Sequence, residues 1–275
     1  MNSQRPAREI TVCADDYALS PQVDQAVLLL ARRARLSATT CMSTSPRWPA
    51  AAAALRPLRS VLEVGLHFNL TESHGGAVAV RGLKRVIVSS YTRQLAPGAL
   101  RDAWRRQLDA FEDALGTPPD FIDGHQHVHQ LPGVRGALLS ELRSRYLACQ
   151  MPWLRSTVPA GGLARQPKAA LVALLGGRAA TRLWRGASMR CNAGFAGVYG
   201  FDAPDAAAYG ARVRRWLQAL PDGGLLMCHP ATEAEPGDAI GRQRAVEYAF
   251  FMSDAFPALL EATRCSVRRR AGAPH

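Results

Sequence analysis

Short apolar runs alternate with longer amphipathic stretches along most of the chain. The apolar runs predict buried strands at Glu9–Ala14, Ser37–Met42, Val61–Leu70, Phe121–His129 and Gly223–Cys228. The intervening stretches have helical spacing and predict helices at Pro21–Arg33, Pro49–Leu58, Leu100–Leu115, Gly133–Arg145 and Gln243–Leu260. Such alternation predicts parallel β/α units, while periodicity alone does not choose between one open sheet and a barrel.

One segment interrupts this alternation. Residues 159–210 are rich in glycine, alanine and arginine, with a helical piece at Lys168–Leu175 and an irregular run at Asn192–Phe201. We interpret them as a loop-rich insertion in a single domain spanning residues 1–267. A flexible tail is expected at 268–275.

Composition excludes several classes of protein. The 275 residues are 48% hydrophobic and 20% charged, as in an ordinary soluble globular protein. No apolar run approaches the ~20 residues that a membrane-spanning helix needs. The polar start, Met1–Glu9, lacks the apolar core of a signal peptide and predicts a cytoplasmic location. The six cysteines are widely spaced, which predicts reduced thiols.

The net charge of +12 raises the alternative of a basic protein that binds nucleic acid or an anionic membrane. The arginines are scattered, however, and their short runs have no interleaved aromatic residues. Nucleic-acid binding is therefore disfavoured. Arg212–Arg215, on an amphipathic segment, leaves peripheral membrane contact open, and a homodimer is also compatible with the sequence.

Two adjacent carboxylates follow the first predicted strand, at Asp15 and Asp16. Buried charge is costly unless it is hydrated, hydrogen-bonded or shared with a cation. Neighbouring residues of a strand face opposite sides, so the pair must bend into a loop to reach one site. The simpler alternative is that they cap the helix that follows.

Histidines concentrate at the ends of two further strands. His67 alone would more often be a hydrogen-bonded core residue than a ligand. The segment at 123–129 reads D-G-H-Q-H-V-H, and if the strand continues, His125, His127 and His129 share one face. Imidazoles and carboxylates together are typical ligands of zinc and similar divalent ions, and some of these histidines could instead orient a ligand or contact substrate.

A fourth strand end carries His229, followed by Pro230. By itself this pair signals little more than a turn. In parallel β/α folds, however, the carboxyl ends of the strands meet at one rim, where ligands bind. The sequence therefore predicts that the carboxylates and histidines of all four segments converge.

Taken in order, these motifs resemble the YdjC-like carbohydrate deacetylases, which include chitooligosaccharide deacetylases and hopanoid-biosynthesis-associated deacetylases. The resemblance rests on A-D-D, S-A-T-T-C-M, G-L-H-x-x-L-T, D-G-H-Q-H-V-H-x-x-P and M-C-H-P, where x is any residue, and spans about residues 9 to 255. It implies an irregular (β/α) barrel of the glycoside hydrolase/deacetylase type. It also implies metal-dependent removal of an N-acetyl group from an amino sugar, as in a chitooligosaccharide or glycolipid.

The resemblance assigns roles to individual residues. It implies Asp16, His67 and His125 as ligands of one divalent metal ion, Mg²⁺ or Zn²⁺. It implies Asp15 as general base and His229 as general acid. The remaining candidates, for supporting the metal site or contacting substrate, are His127, His129, Arg155 and Tyr17. Arg155 would either hold Asp15 ionised or touch the sugar.

Two positions depart from the family pattern. Ala18 stands where glycine is common, which makes positive φ more costly there. Cys13 stands where asparagine is frequent and should face the same way as Asp15. Both departures bear on the substrate subclass. The nearest alternative function is a metal-dependent phosphoesterase or another amidohydrolase on a β/α barrel.

Overall fold

Parallel strands form the centre of the molecule. The structure is a computed structural model that describes residues 7–73, 82–161 and 167–269. The strands are β1 Arg8–Tyr17, β2 Ala38–Cys41, β3 Glu63–Phe68, β4 Phe121–Gly124, β5 Trp153–Leu154, β6 Phe195–Ala196, β7 Gly224–Cys228 and β8 Cys265–Val267. Their order in the sheet is β5-β4-β3-β2-β1-β7-β6, and β8 pairs with the beginning of β1.

Helices surround the sheet. They are α1 Pro21–Arg32, α2 Trp48–Leu55, α3 Leu83–Tyr91, α4 Pro97–Leu115, α5 Val134–Arg145, α6 Pro167–Val172, α7 Arg178–Gly186, α8 Ala206–Ala219, α9 Gly241–Met252 and α10 Ala255–Thr263. Ser20 caps α1 through its side chain, and Gly116 ends α4 in the left-handed conformation. None of the helices in the described ranges is long and apolar enough to cross a membrane.

The two edges of the sheet approach each other and close it irregularly. Isolated parallel bridges join Leu154 to Cys191 and Pro159 to Phe195. Between these bridges the Asn192 side chain accepts from the backbone N–H of Ser156 and donates to its carbonyl. A side chain thus replaces part of the missing strand ladder. The predicted irregular (β/α) barrel is confirmed.

The barrel has apolar layers on both sides of the sheet. The inner layer contains large rings from neighbouring strands, and Phe121 stacks on Trp153 with centroids 4.2 Å apart. The outer layer is the larger core between the sheet and the helices. Because a strand alternates between faces, Val12 packs outward while Cys13 packs inward. The same alternation sends Asp15 into the barrel.

The expected strand at Phe121–His129 is wrong beyond Gly124. Residues His125–Gln130 form a 3₁₀ turn, with positive φ at Gln126 and His127. The three histidines therefore do not share a strand face. The turn folds back closely, since a Cβ on Gly124 would lie 2.9 Å from the backbone nitrogen of His129. Glycine permits this close approach.

Other boundaries also differ from expectation. The helix expected at Gln243–Leu260 is two helices, α9 and α10, separated at Ser253–Asp254. Residues 159–210 contain α6, α7 and β6, so the segment expected to be a loop-rich insertion also contributes a strand to the barrel. Most of the tail expected at 268–275 lies outside the described residues. Short strands such as β5 carry too few residues to show a period.

Candidate active site

The end of β1 brings both carboxylates to one place. The pairing with β2 becomes irregular between Ala14 and Tyr17, and Asp16 has φ 68°. This local break lets Asp15 and Asp16 depart from strict alternation. Ala18 also has positive φ, 72°, at the position where the resemblance expects glycine. A residue other than Gly, Asn or Asp has a steric penalty of about 1–2 kcal/mol in this region.

Strand register places His67 beside a buried carboxylate. His67 in β3 lies directly opposite Asp123 in β4. Its Nδ1 is 2.6 Å from Asp123 Oδ1, while its Nε2 is 3.2 Å from Asp16 Oδ1. Burial lowers the pKa of His67, but Asp123 and Asp16 outweigh burial and raise the pKa to about 10. Asp123 thus orients the ring so that Nε2 faces Asp16.

Asp16, His67 and His125 form a group that fits a divalent cation. One candidate ligand atom from each residue lies within 4.8 Å of the others. Asp16 Oδ1 is 2.9 Å from His125 Nδ1, close to its distance from His67 Nε2. Ligand atoms held at about 2.1 Å from one ion are separated by about 3.0–3.4 Å, so the spacing suits a metal site. Two imidazoles and one carboxylate suit zinc better than magnesium, which prefers oxygen ligands.

The second oxygen of Asp16 has a different partner. Arg244 in α9 donates from Nη2 to Asp16 Oδ2 over 2.7 Å and from Nε to Asp238 Oδ2 over 2.6 Å. Burial raises the pKa of Asp16, but Arg244 and His125 lower it well below its ordinary value. Arg244 therefore keeps Asp16 ionised and leaves Oδ1 directed at the two imidazoles.

Asp15 is held by Arg155 through two hydrogen bonds. Nη1 and Nη2 of Arg155 lie 2.6 Å from Oδ2 and Oδ1 of Asp15, and Nη2 is also 2.6 Å from Asp123 Oδ2. Arg155 is fully buried. Burial raises the pKa of Asp15, yet Arg155 outweighs it and lowers the pKa well below 3.8. Of the two expected roles for Arg155, the geometry fits holding Asp15 ionised.

A second group, Asp15, His67 and Asp123, also has three close potential ligands. Its two carboxylates already share the guanidinium of Arg155. A metal ion there would face that positive charge at short range, which Coulomb repulsion strongly disfavours. The group around Asp16 is therefore the better metal site.

Cys13 faces the same way as Asp15, as expected. Its Sγ is 3.0 Å from Arg155 Nη2 and 3.7 Å from Asp15 Oδ1. Burial raises the pKa of the Cys13 thiol, although Arg155 opposes the effect. A neutral thiol therefore supports the arginine and contributes no charge. All six cysteines are free.

His229 follows β7 and is positioned through its backbone. Its N–H donates to Glu247 Oε2 over 2.6 Å, and Tyr199 donates its hydroxyl to Glu247 Oε1 over 2.5 Å. The ring packs edge-on against Phe201. Burial lowers the pKa of His229 to about 4, against the raising effects of Asp16 and Asp15. The imidazole is thus neutral near pH 7.

The two remaining histidines of the turn have different surroundings. His129 is fully buried, donates from Nε2 to the Arg155 carbonyl over 3.1 Å and stacks on Trp184. It therefore supports the chain that carries Arg155. His127 packs edge-on against Phe195. Burial lowers the pKa of both, to about 4 for His129.

Tyr17 does not have the position expected of a substrate contact. Its side chain is fully buried, and its hydroxyl donates to the carbonyl of Ala51 in α2 over 2.9 Å. The next strand position after Asp16 faces the outer core, because the alternation of the strand resumes there. The expectation for Tyr17 is therefore wrong.

Sequence reasoning missed four residues of the site: Asp123, Thr40, Arg244 and Glu247. Thr40 lies 3.1 Å from His67 Nδ1 and 3.3 Å from Asp15 Oδ1. The sequence of α9 did contain a signal for two of them, Arg244 and Glu247. Arg244 and Glu247 occupy the same helical face as Phe251, so they are charged residues at core positions.

These features have a counterpart among known proteins. The family model described as "YdjC-like protein" matches residues 9–262. The chain belongs to this family. Membership in the YdjC-like family agrees with the resemblance read from the ordered motifs.

Named relatives of this YdjC-like chain are deacetylases. The carbohydrate deacetylase of Homo sapiens is 29% identical over 143 residues, which cover 47% of this chain and 44% of the relative. The chitooligosaccharide deacetylase of Enterobacter sp. (strain 638) is 33% identical over 132 residues, covering 46% and 52%. The chain thus matches about half the length of these curated relatives.

The fold also has a solved counterpart. The crystal structure of an Enterococcus faecalis protein named for cellobiose-phosphate cleavage superimposes with a TM-score of 0.70 at 18% identity. The match covers 96% of this chain and 97% of the other. At this identity, the likeness supports the barrel architecture alone.

Proposed function

We propose that this YdjC-like protein is a metal-dependent hydrolase that removes an N-acetyl group from an amino-sugar-containing substrate. The observation that carries the proposal is the meeting of Asp16, His67 and His125 within coordination distance, beside an ionised Asp15. The names of the relatives, carbohydrate deacetylase and chitooligosaccharide deacetylase, support the substrate class. A chitooligosaccharide and the head group of a glycolipid both belong to this substrate class.

The protein's residues divide the work of amide hydrolysis. Asp16, His67 and His125 would hold a divalent cation, zinc or magnesium. When bound, such an ion polarises a carbonyl and lowers the pKa of water, a contribution of several kcal/mol. Asp15 would accept the proton of the attacking water. Asp15 Oδ2 accepts one hydrogen bond, from Arg155 Nη1, and so keeps a lone pair for this proton, whereas Oδ1 accepts from Arg155, Thr40 and Cys13.

His229 is the proposed proton donor to the departing amine. The low pKa of its imidazole means that it is neutral before the reaction. It must therefore gain a proton during the cycle, and the proton that Asp15 takes from water is the available source. General acid or base groups of this kind typically contribute ~10²–10⁴-fold to the rate. Glu247 fixes the backbone from which His229 projects.

The test is acetate release from N-acetylated chitooligosaccharides and other acetylated amino sugars, with elemental analysis of the same samples. EDTA should abolish release, and added divalent cation should restore it. Full activity in a metal-stripped sample would contradict the metal site. Release of phosphate from phosphoesters, with no acetate from any acetylated sugar, would instead support the phosphoesterase.

Two variants separate the roles of the adjacent carboxylates. Asp15→Asn should retain stoichiometric metal and lose about 10²–10⁴-fold in turnover, as expected for a general base. Asp16→Asn should lose metal, because the ligand charge is removed. The reverse pattern would mean that the two roles are exchanged. Asp102→Asn is the matched control, since Asp102 is exposed on α4.

A further inference from the structure

The outer surface of α6, α7 and the link Ala173–Gly177 between them combines exposed leucines with unpaired cations. Leu171, Leu174 and Leu183 are 57%, 62% and 39% exposed. The exposed cations of the same segment are Lys168, Arg178, Arg182 and Arg185. We call these seven residues the α6–α7 surface. Within the described residues, none of its cations has an ion pair with a carboxylate.

The surrounding sequence strengthens this charge pattern. The chain contains no Asp or Glu between Glu141 and Asp202. No carboxylate from this stretch of the chain therefore offsets the positive charge of the α6–α7 surface. Asp202 lines a cavity together with Lys168, but it pairs with Arg212 at 3.0 Å. Ordinary solvent-facing helices mix both signs of charge, and they do not present several half-exposed leucines together.

The inner side of the same helices is fixed to the rim that carries the candidate site. Trp184 of α7 stacks on His129 with centroids 5.7 Å apart, and Thr181 shares a hydrogen bond with Ser156. A Cβ on Gly176 would lie 2.6 Å from the carbonyl oxygen of Gln130, so the link between the helices packs directly on the histidine turn. Anything that binds the outer side is held next to this rim.

From these observations we infer that the α6–α7 surface docks on a membrane surface that bears anionic headgroups. The four cations complement the negative headgroups, and the three leucines enter the boundary between headgroups and acyl chains. Single-stranded nucleic acid fits less well, because it is bound by cations together with exposed stacking aromatic residues, and Trp184 is buried. The inference is independent of the proposed deacetylase activity.

The structure also distinguishes this surface from the basic run on α8. Arg214 and Arg215 are exposed, but no large hydrophobic residue of α8 is. Arg212 is partly buried and paired with Asp202 at 3.0 Å. The run at Arg212–Arg215 therefore has charge without an apolar anchor. It provides a matched control of equal charge.

Co-sedimentation with phosphatidylcholine vesicles, with or without about one quarter phosphatidylglycerol, tests the inference at ~0.1 M salt. The full chain should bind the anionic vesicles much more than the neutral ones. Arg178→Gln/Arg182→Gln should lower the partition coefficient about 25-fold, since each cation near an anionic surface is worth about fivefold. Leu171→Gln/Leu174→Gln should lower it about tenfold or more. Arg214→Gln/Arg215→Gln should change it less than about threefold, because α8 has no exposed large hydrophobic residue that would hold these charges at the headgroups.

Equal binding to neutral and anionic vesicles would overturn the inference, as would an α8 control that loses as much as the α6–α7 variants. Salt-sensitive binding to an acidic protein, with no binding to vesicles, would also overturn it.

A second measurement uses an environment-sensitive fluorophore on Leu174→Cys in a Cys149→Ser background. Its emission should shift to the blue on anionic vesicles, whereas the same label on Val61→Cys, which precedes β3 at the opposite rim, should not shift. An unshifted label at position 174 would also refute docking. Acetate release from a soluble substrate should stay unchanged in the α6–α7 variants, which keeps this outcome separate from that of the proposed function.

Discussion

Replacing Arg155 with methionine should destabilise the protein far more than replacing an exposed arginine. Arg155 has no solvent exposure, and it pairs with Asp15 and Asp123, which are 2% and 0% exposed. Methionine retains much of the aliphatic volume but leaves two buried carboxylates without their cation. Removing one partner of a buried ion pair costs about 3–5 kcal/mol. For a chain of this size, that loss lowers the Tm by roughly 10 °C.

The destabilisation caused by Arg155→Met should also depend on pH, in a direction that the pKa of Asp15 predicts. Arg155 lowers the pKa of Asp15 below its ordinary value of 3.8, so its stabilising contribution is present above about pH 4 and is lost as the pH falls through the lowered pKa. In the variant, burial still raises the pKa of Asp15 but Arg155 no longer opposes it, and only the weaker lowering effects of His67 and His229 remain. The difference in unfolding free energy between the two proteins should therefore be largest near pH 7. It should shrink as the pH falls through the raised pKa of the variant towards the lowered pKa of the wild type.

Thermal unfolding in the presence of EDTA, monitored at several pH values, measures this difference without a contribution from bound metal. The matched control is Arg105→Met. Arg105 pairs with Glu141 at 3.3 Å but its side chain is 55% exposed, so its loss should cost less than about 1 kcal/mol. Arg155→Lys should recover only part of the stability, because an ammonium cannot reproduce two parallel hydrogen bonds. Equal losses in Arg155→Met and Arg105→Met, or a difference independent of pH, would refute the reasoning.

Further predictions concern backbone packing and a buried acid. Gly124→Ala should destabilise by about 1–3 kcal/mol, because its Cβ would press on the backbone of His129, and chemical denaturation would detect this. Gly136 lies in α5 with open space around it, so Gly136→Ala should stabilise the protein by about 0.5–1 kcal/mol. If both substitutions changed the unfolding free energy in the same direction, the close approach at Gly124 would be contradicted. Burial raises the pKa of Glu247 to about 7, so the wild type should lose stability relative to Glu247→Gln as the pH rises from about 4.5 to 7. Parallel stability curves for these two proteins would show that Glu247 is not destabilised in its ionised form.

The order of the motifs predicted the barrel and the residues that meet in the candidate site. The strand pattern predicted that the carboxylates and histidines of four strand ends meet at one rim. The choice of Asp16, His67 and His125 among them came from the resemblance to the YdjC-like family. The local sequence pattern gave a wrong prediction where packing between distant segments determines the backbone conformation. The turn at His125–Gln130 has the composition of a continuing strand, yet β4 stops at Gly124 because the chain must fold back over it.

The chain's local patterns predicted β1 to β4 and β7, several of the helices that cover them, and the strand ends that carry carboxylates and imidazoles, since periodicity and residue type are properties of neighbouring positions. Only the tertiary structure determined which residues form hydrogen bonds and ion pairs with the site residues. It placed Arg155 between Asp15 and Asp123, Arg244 on the far oxygen of Asp16, and the hydroxyl of Tyr17 against α2, away from the site. These contacts join residues that are distant in sequence. Their energies depend on burial and distance, neither of which is encoded in any single segment.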